Sequence, residues 1–364
     1  MSLRDVIGRI RGEVVTTAID VGHFAIKLAQ VEHKRGEMTL VIADVEHLPT
    51  KTIEDNEVKD VSAFTEALNR IMQRNFPDGF RGELVIGINW SNGILADRML
   101  LRKQDESENE GFILEEAGKR SPFNEEGVNL DYEVLNPNAN VQGEQEVLIV
   151  AAKGITLTNW TRIFVAAGLT PSILDVDAFA VTNAFLVSAS DEDMKETVAL
   201  LTIGDKRAHI SFVRNGQYHS TRTVQNASVD SFVSQMCRRL GLDQDLVGQI
   251  LRGEKADGYN KELFQAALEY SAEEYAVAVE LALRYFTSTE NQEQVSHLYL
   301  TGGGASIPGL AEFLSRKLEK RVECLNPLRN GKNLHFDKGL FGGEISQDVM
   351  NMMTPVLGLA MRKP

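Results

Sequence analysis

Apolar and polar residues alternate between Val14 and Leu48 in three short runs, VVTTAID, IKLAQVEH and MTLVIADVEHL, interrupted at Gly22 and at KRGE. A period of two with many β-branched residues predicts three strands joined by tight turns. The period then lengthens. Phe64, Leu68 and Ile71 recur at helical spacing in DVSAFTEALNRIMQRNF, which Pro77 closes, and the strand GELVIGINW follows. From residue 91 the rhythm changes: MLLRK predicts a strand, ENEGFILEEAGKRS a helix, VNLDYEVLN and EVLIVAAK two strands, and TLTNWTRIFVAAG a helix stopped by Gly168. SILDVDAF returns to a strand-and-turn pattern. A β-α-β-β-α unit of this size reads as a subdomain inserted into a larger α/β frame.

The second half restates the first. VALLTIG, AHISFVR and QYHSTRTV predict another three-stranded meander, with Asn215–Gly216 as a hairpin turn. Helices follow in VDSFVSQMCRRLGL, in QDLVGQILRG and from about Lys261 to Phe286. The strand SHLYLTGGG leads into the helix GLAEFLSRKLEKR, and TPVLGLAMRKP predicts a last helix packed back on the first half. The stretch from Asn326 to Phe341, rich in Gly, Asn and Asp, reads as a loop. No low-complexity tract separates the halves, which favours two lobes facing each other.

Composition narrows the function. The 364 residues carry a formal net charge of −14, which argues against general nucleic-acid binding. Cys237 and Cys324 form no disulfide framework, and no spacing resembles a metal site, so a reducing, cytoplasmic setting is expected. MSLRDVIGRIRGE lacks the apolar core of a signal peptide, and no run of about 18 apolar residues offers a membrane span. Leu3, Val6, Ile7 and Ile10 nevertheless share a helical face, with Arg4, Arg9 and Arg11 around it. Such a segment docks on its own domain or lies on a membrane surface.

The candidate chemistry lies in the duplicated strand–glycine–strand unit. Aligning Gly22 of AIDVGHFAIKLAQV with Gly204 of LLTIGDKRAHISFV sets Asp20 opposite Thr202. Two glycine hairpins, one from each lobe, can grip a polyphosphate through backbone N–H groups, and a carboxylate at each turn can hold hydrated Mg²⁺. LTGGGASIPGL is a Gly-rich strand-to-helix turn against which an adenosine can lie.

Hairpin, insertion, hairpin, helical block and Gly-rich turn, in that order, resemble the actin-like ATPase superfamily. Within it LDVDAFAVTNAF (174–185), SPFNEEGVNLDYEVLN (121–136), LYLTGGGASIPGLAEFLSRKLEKRVECLNPL (298–328) and the terminal GLAMRKP resemble the PilM family of type IV pilus assembly. The resemblance implies an α/β, actin-like (ribonuclease H-like, duplicated) two-lobed fold with the inserted subdomain placed as in FtsA. The expected divisions are an amphipathic segment at 1–13, first-lobe core at 14–90, insertion at 91–172 and a return to the first lobe at 173–195. Second-lobe core follows at 196–224, its helical subdomain at 225–290, core with the Gly-rich turn at 291–345, and a helix at 346–364 packing on the first lobe.

Carried over residue by residue, the family's D-I-G-S-S-S-V-K hairpin stands here as Asp20, Val21, Gly22, His23, Phe24, Ala25, Ile26 and Lys27. All three hydroxyls are gone. The second hairpin has Thr202 where an acid is usual, then Gly204 and Asp205. The family's Glu-x-x-Lys appears as Gly248 and Leu251, and Asp177 matches the acid that orients the attacking water, with Asp175 beside it. The implied nucleotide-binding set is Asp20, Gly22, Lys27, Thr202, Gly204, Asp205, Gly302, Gly303 and Gly304, with Asp20 and Asp177 as catalytic candidates and Asp20 reaching Mg²⁺ through water. ATP and Mg²⁺ are the cofactors so implied. Losing a metal-positioning carboxylate costs orders of magnitude in phosphoryl transfer, so a pseudo-ATPase is expected. The resemblance further implies a scaffold at the inner membrane that binds the N-terminal tail of a PilN-like protein, in a groove near 90–130 and 178–188, and links it to the pilus motor or platform. A homo-oligomeric ring is a further implied partner state. An active ATPase and an FtsA-like filament former are the alternatives; the C-terminal amphipathic helix of FtsA has no counterpart at Ala360–Pro364.

Overall fold

The computed structural model describes residues 13–54, 57–91, 93–102, 111–113, 115, 119, 127–139, 143–254, 258–290, 293–329, 334–341 and 345–362. The amphipathic segment expected at 1–13 lies outside them apart from its last residue. The helix expected in ENEGFILEEAGKRS lies mostly outside them, although Ile113 is buried with Leu101, Val147 and Ile149.

The first meander is β1 (Glu13–Val21), β2 (Ala25–Lys34) and β3 (Glu37–His47), all antiparallel. A two-stranded ribbon, β4 (Ile53–Glu54) and β5 (Glu57–Val58), leads to helix α1 (Val61–Asn75). Asp60 caps that helix by accepting from the Ala63 N–H, which satisfies one of the otherwise unpaired first-turn donors. Strand β6 (Glu83–Ile88) then runs parallel to β1. The insertion follows as β7 (Ile94–Arg102), β8 (Val128–Asn136) and β9 (Glu144–Lys153), a separate antiparallel sheet in the order β7-β9-β8. Helix α2 (Gly154–Ala166) returns the chain by setting Trp160 and Phe164 against Phe64. Strand β10 (Ile173–Val176) pairs with β6, and helix α3 (Asp177–Ser188) begins at once.

The second half repeats this plan. Strands β11 (Thr197–Ile203), β12 (Ala208–Arg214) and β13 (Gln217–Thr223) form the meander. Asn215 and Gly216 both take positive φ at its second turn, as the expected two-residue hairpin requires. Helices α4 (Val229–Leu240), α5 (Gln244–Leu251) and α6 (Lys261–Thr289) cover one face of the sheet. Strand β14 (His297–Thr301), helix α7 (Leu310–Leu318), strand β15 (Arg321–Cys324), strand β16 (Leu334–Phe336) and helix α8 (Gln347–Ala360) complete the chain.

The two large sheets read β10-β6-β1-β2-β3-β16 and β15-β14-β11-β12-β13. Apart from β16 the order is the same in both, with the third meander strand at one side and two parallel strands at the other. The duplication seen in two glycine hairpins therefore extends to whole sheets. Each sheet is followed by a closing helix, α3 or α8, and these two helices pack on one another. Val181 and Phe185 of α3 are buried with Val198, Leu200 and Val213 of the second sheet. Met353, Val356, Leu357 and Leu359 of α8 are buried with Ala18, Ala29 and Val85 of the first. Gly358 makes the close approach possible: a Cβ there would stand 1.7 Å from the Ala180 carbonyl oxygen.

Two expectations are corrected here. The segment after Val176, read as strand and turn, is helix α3; its residues are buried on both faces, so no amphipathic period marks it. Within Asn326–Phe341, read as a loop, Leu334–Phe336 forms β16, which pairs parallel with β3 and places a strand from the second half on the first sheet. The last helix begins at Gln347, with Pro355 inside it. Proline has no N–H, so the Asn351 carbonyl loses its helical partner. That oxygen instead accepts from the Gly302 N–H at 2.9 Å and from Thr301 Oγ1 at 3.3 Å, which fastens the Gly-rich turn to α8.

Candidate functional site

The two glycine hairpins turn in the same way. The Gly22 N–H donates to the Ala25 carbonyl at 3.0 Å, and the Gly204 N–H to the Arg207 carbonyl at 2.8 Å. In the register of the first hairpin Asp20 stands across from Lys27; in the second, Thr202 stands across from His209. Sequence reasoning missed His209, although the alignment of the two hairpins sets it opposite Lys27.

Asp20 and Lys27 are both buried, and the ammonium donates to Asp20 Oδ2 at 2.8 Å. The ammonium also lies under the turn, 2.7 Å from where a Cβ on Gly22 would be. An anion that would draw a hydrated cation toward the cleft is thus matched by the chain's own cation. Phe24 at the tip of the turn is 54% exposed and meets the His47 ring edge-on, rather than entering the core. At the second hairpin, Thr202 Oγ1 and His209 Nε2 are buried with no hydrogen-bond partner among the described residues. Burial alone holds His209 down at a pKa of about 3, so it is neutral.

Asp177 is the first residue of α3, and its Oδ1 accepts the Trp90 N–H at 2.8 Å. Burial, helped by the nearby Asp20 charge, raises its pKa to about 8 against the opposing Trp90 bond. His209 Nδ1 lies 3.9 Å from Asp177 Oδ2, and since burial disfavours charge on both, the contact is between neutral groups rather than an ion pair. A protonated carboxylic acid cannot act as a base toward water. Asp175 is a different kind of group: it sits in β10, accepts the Val176 N–H, and pairs with Arg362 at 2.8 Å. With the Thr16 hydroxyl donating to the Arg362 carbonyl and His33 meeting the Ala360 carbonyl, this pair fixes the end of α8 to the first sheet.

His23 of the first hairpin and Asp205 of the second feel each other's charge. Burial lowers the pKa of His23 while the Asp205 charge opposes that, and burial raises Asp205. Lys206 is held by Asp230 at 2.6 Å. Gly248 and Leu251 lie on α5, where Leu251 packs on the second-lobe core.

In the Gly-rich turn the three glycines differ. Gly302 has φ +82°, and a Cβ on it would meet the Ile203 carbonyl oxygen at 2.5 Å. A Cβ on Gly304 would run into the Ile203 side chain at 2.1 Å and Val229 at 2.9 Å. Both are therefore required by packing against β11 and α4. Gly303 alone has open space beside it. The fit to Mg²⁺ and ATP is correspondingly poor: one carboxylate faces an ammonium, one is protonated, and the metal position of the second hairpin is a hydroxyl. Among the described residues no group of three His, Cys, Asp or Glu side chains is arranged to hold a metal ion.

Asp177 gives a pH signature. Its folded pKa lies above its unfolded value of 3.8, so the folded state holds the extra proton; the stability it contributes is present at low pH and lost as pH rises toward 8. His209 has the opposite sign. Its contribution is present above 6.5 and lost as pH falls toward 3. Urea unfolding followed across this range is expected to show a maximum between the two limbs. Asp177→Asn, which keeps the shape of the neutral acid, flattens the alkaline limb; an unchanged alkaline slope in that variant would show that Asp177 is ionised.

Residues 18–364 match the family model described as type IV pilus assembly protein PilM. Among solved structures, the PilM-PilN type IV pilus biogenesis complex contains a chain similar over 97% of this chain and 100% of its own, at 22% identity and TM-score 0.80. The ethanolamine utilization protein EutJ from Carboxydothermus hydrogenoformans is similar over 95% of this chain and 89% of its own, at 12% identity and TM-score 0.55. MreB5 of Spiroplasma citri bound to ADP matches over 95% and 94% at 9% identity and TM-score 0.48. The fold is the two-lobed actin-like ATPase fold.

Proposed function

This chain belongs to the PilM family of type IV pilus assembly proteins, and from that premise we propose that it is an actin-like scaffold whose nucleotide site no longer supports hydrolysis. The observation that carries the reading is Thr202 in place of an acid in the second hairpin, set beside His23, Phe24 and Ala25 in place of the three hydroxyls of the first. Phosphoryl transfer depends on fixed groups that can receive Mg²⁺ and phosphate. Here the phosphate-facing hydroxyls of one hairpin and the carboxylate of the other are absent.

The scaffold binds the N-terminal cytoplasmic tail of a PilN-like inner-membrane protein. The likeness in fold to the chain of the PilM-PilN complex supports this, as does a net charge of −14 suited to a basic tail. The groove lies between the first lobe, 14–90, and the insertion, 91–172. Its 178–188 side has fewer residues to offer than the sequence suggests, because Ala178, Ala180, Val181, Thr182, Ala184 and Phe185 are all buried, which leaves Phe179, Asn183, Leu186, Val187 and Ser188 as the partly exposed positions of α3. Among the described residues no helix is long and apolar enough to cross a membrane. The proposed place of work is the cytoplasmic face of the inner membrane, reached through the PilN-like partner, which the scaffold joins to the motor or platform.

A second reading keeps nucleotide as a ligand without turnover, favoured by the open side of Gly303 and by Thr202 Oγ1 and His209 Nε2, which have no hydrogen-bond partner among the described residues. Calorimetric titration with a peptide of the PilN-like tail tests the scaffold. Saturable binding, unchanged by ATP and Mg²⁺, is expected; a tail that fails to bind the folded protein under any nucleotide condition would remove the scaffold reading.

A further inference from the structure

Helix α6 buries one face in the second-lobe core through Phe264, Tyr275, Val279, Leu283 and Phe286. A second face is apolar and left to solvent. On it Leu263, Tyr270, Val277, Leu281 and Tyr285 are 62%, 42%, 56%, 69% and 47% exposed. Their spacing along the helix keeps all five on one stripe, about 33 Å long at the rise of an α-helix. The Arg239 guanidinium lies 3.0 Å from the centre of the Tyr270 ring, and that of Arg222 lies 3.7 Å from the centre of the Tyr285 ring. Two aromatic anchors are thus held in place in advance, which lowers the cost of ordering them on binding. Toward its C-terminal half the stripe enters a cleft of about 760 Å³, which Trp90 and Ile94 also line where the chain passes from β6 into the insertion. A contiguous exposed apolar stripe with a polar rim marks an interaction surface.

Charge identifies the occupant. Glu274 falls inside the stripe, four residues after Tyr270 and three before Val277, and it lines the cleft. It is exposed, and among the described residues it has no ion pair and no hydrogen bond. Glu269, Glu273 and Glu280 follow one flank of the stripe. Their present partners, Gln265, Lys317 and Arg284, are solvent-exposed and hold them weakly. Gln235 Oε1, lining the same cleft, also has no hydrogen-bond partner among the described residues, and it accepts rather than donates. The surface therefore asks for apolar side chains at helical spacing with lysine or arginine among and beside them. An anionic lipid surface is disfavoured, since these carboxylates would be repelled by it. Two copies meeting stripe to stripe would set carboxylate against carboxylate.

We propose that the α6 stripe is the docking site for an amphipathic helix with a basic edge, presented by a different protein. Its apolar face lies along Leu263, Tyr270, Val277 and Leu281, a cation meets Glu274, and its far end enters the cleft beside Tyr285. This is the helix-in-groove mode of recognition, with the anchors supplied by the partner.

Fluorescence anisotropy on the full chain tests the proposal with a labelled amphipathic leucine–lysine peptide, about 20 residues long to match the stripe. A leucine–glutamate peptide of the same pattern is the control. Saturable one-to-one binding of the first and none of the second is expected. Leu281→Asp and Glu274→Lys are each expected to weaken binding at least about tenfold, with an unchanged thermal melt, because both positions are exposed and central to the contact. The proposal is overturned if the leucine–lysine peptide does not bind, if both peptides bind alike, or if Leu281→Asp binds as tightly as wild type, which would make the attraction one of net charge alone. Binding to anionic phospholipid vesicles that Leu281→Asp abolishes would also overturn it, assigning the stripe to a membrane surface.

Discussion

Gly358→Ala is expected to be among the most damaging single-methyl changes in the protein. The added Cβ would stand 1.7 Å from the Ala180 carbonyl oxygen and 2.5 Å from its carbon, so the obstacle is backbone and no rotamer relieves it. Alanine gains about 1 kcal/mol over glycine in a helix interior. Overpacking a closed core typically costs about 1–3 kcal/mol, and a forced backbone shift lies at or above the top of that range. The clash wins. Helices α3 and α8 must separate, and with them the surfaces that join the two sheets. Thermal unfolding should show a loss of at least about 3 kcal/mol. Ala180→Gly should not rescue it, since the methyl group of Ala180 is not what is struck. A Gly358→Ala protein with wild-type stability would mean that the two helices do not meet as described.

Asp20→Ala is expected to destabilise the protein by about 3–5 kcal/mol, the usual effect of removing one partner from a buried ion pair. Both side chains are almost fully buried, and the ammonium of Lys27 would be left without its carboxylate. Replacing both residues, in Asp20→Leu with Lys27→Leu, should return most of that loss, because an apolar pair of similar volume avoids the desolvation of two charges. Chemical denaturation of the single and double variants measures both effects. A stable Asp20→Ala protein would show that burial of the Lys27 ammonium does not depend on this carboxylate.

Much of this architecture was legible because short apolar, β-branched runs stand between clear turn signals. The meanders at 14–48 and 197–223 are such runs, with β11 and β12 buried almost throughout, and α1 shows its Phe64, Leu68, Ile71 stripe. Helix α3 was not legible, since DAFAVTNAFLVS is buried between two sheets and has no polar face to give a period. Strands β15 and β16 have four and three residues, too short for alternation to register, and β16 finds its partner across the whole chain at β3. Pro355 ordinarily ends a helix, but α8 runs through it, and the carbonyl it releases is taken up by the Gly302 N–H.

At the site, residue types were legible but their pairings were not. The duplicated hairpin pointed to Asp20, Lys27, Thr202 and Gly204, yet only the cross-strand register shows that Asp20 is already matched by Lys27. Asp177 was read as a carboxylate facing water, whereas burial makes it a neutral acid bound to the Trp90 N–H. The triple glycine was read as one ligand turn. Two of its members are accounted for by Ile203 and Val229, a distinction that depends on packing no local pattern records.

Whether the cleft between the hairpins hydrolyses nucleotide is decided by titrating the purified, folded protein with a fluorescent ATP analogue and Mg²⁺ and following phosphate release in the same samples. No phosphate release above the protein-free rate is predicted at any degree of saturation, and binding weak or absent into the millimolar range. Saturable binding with phosphate release that disappears in Asp177→Asn would contradict the account and make this protein an active ATPase.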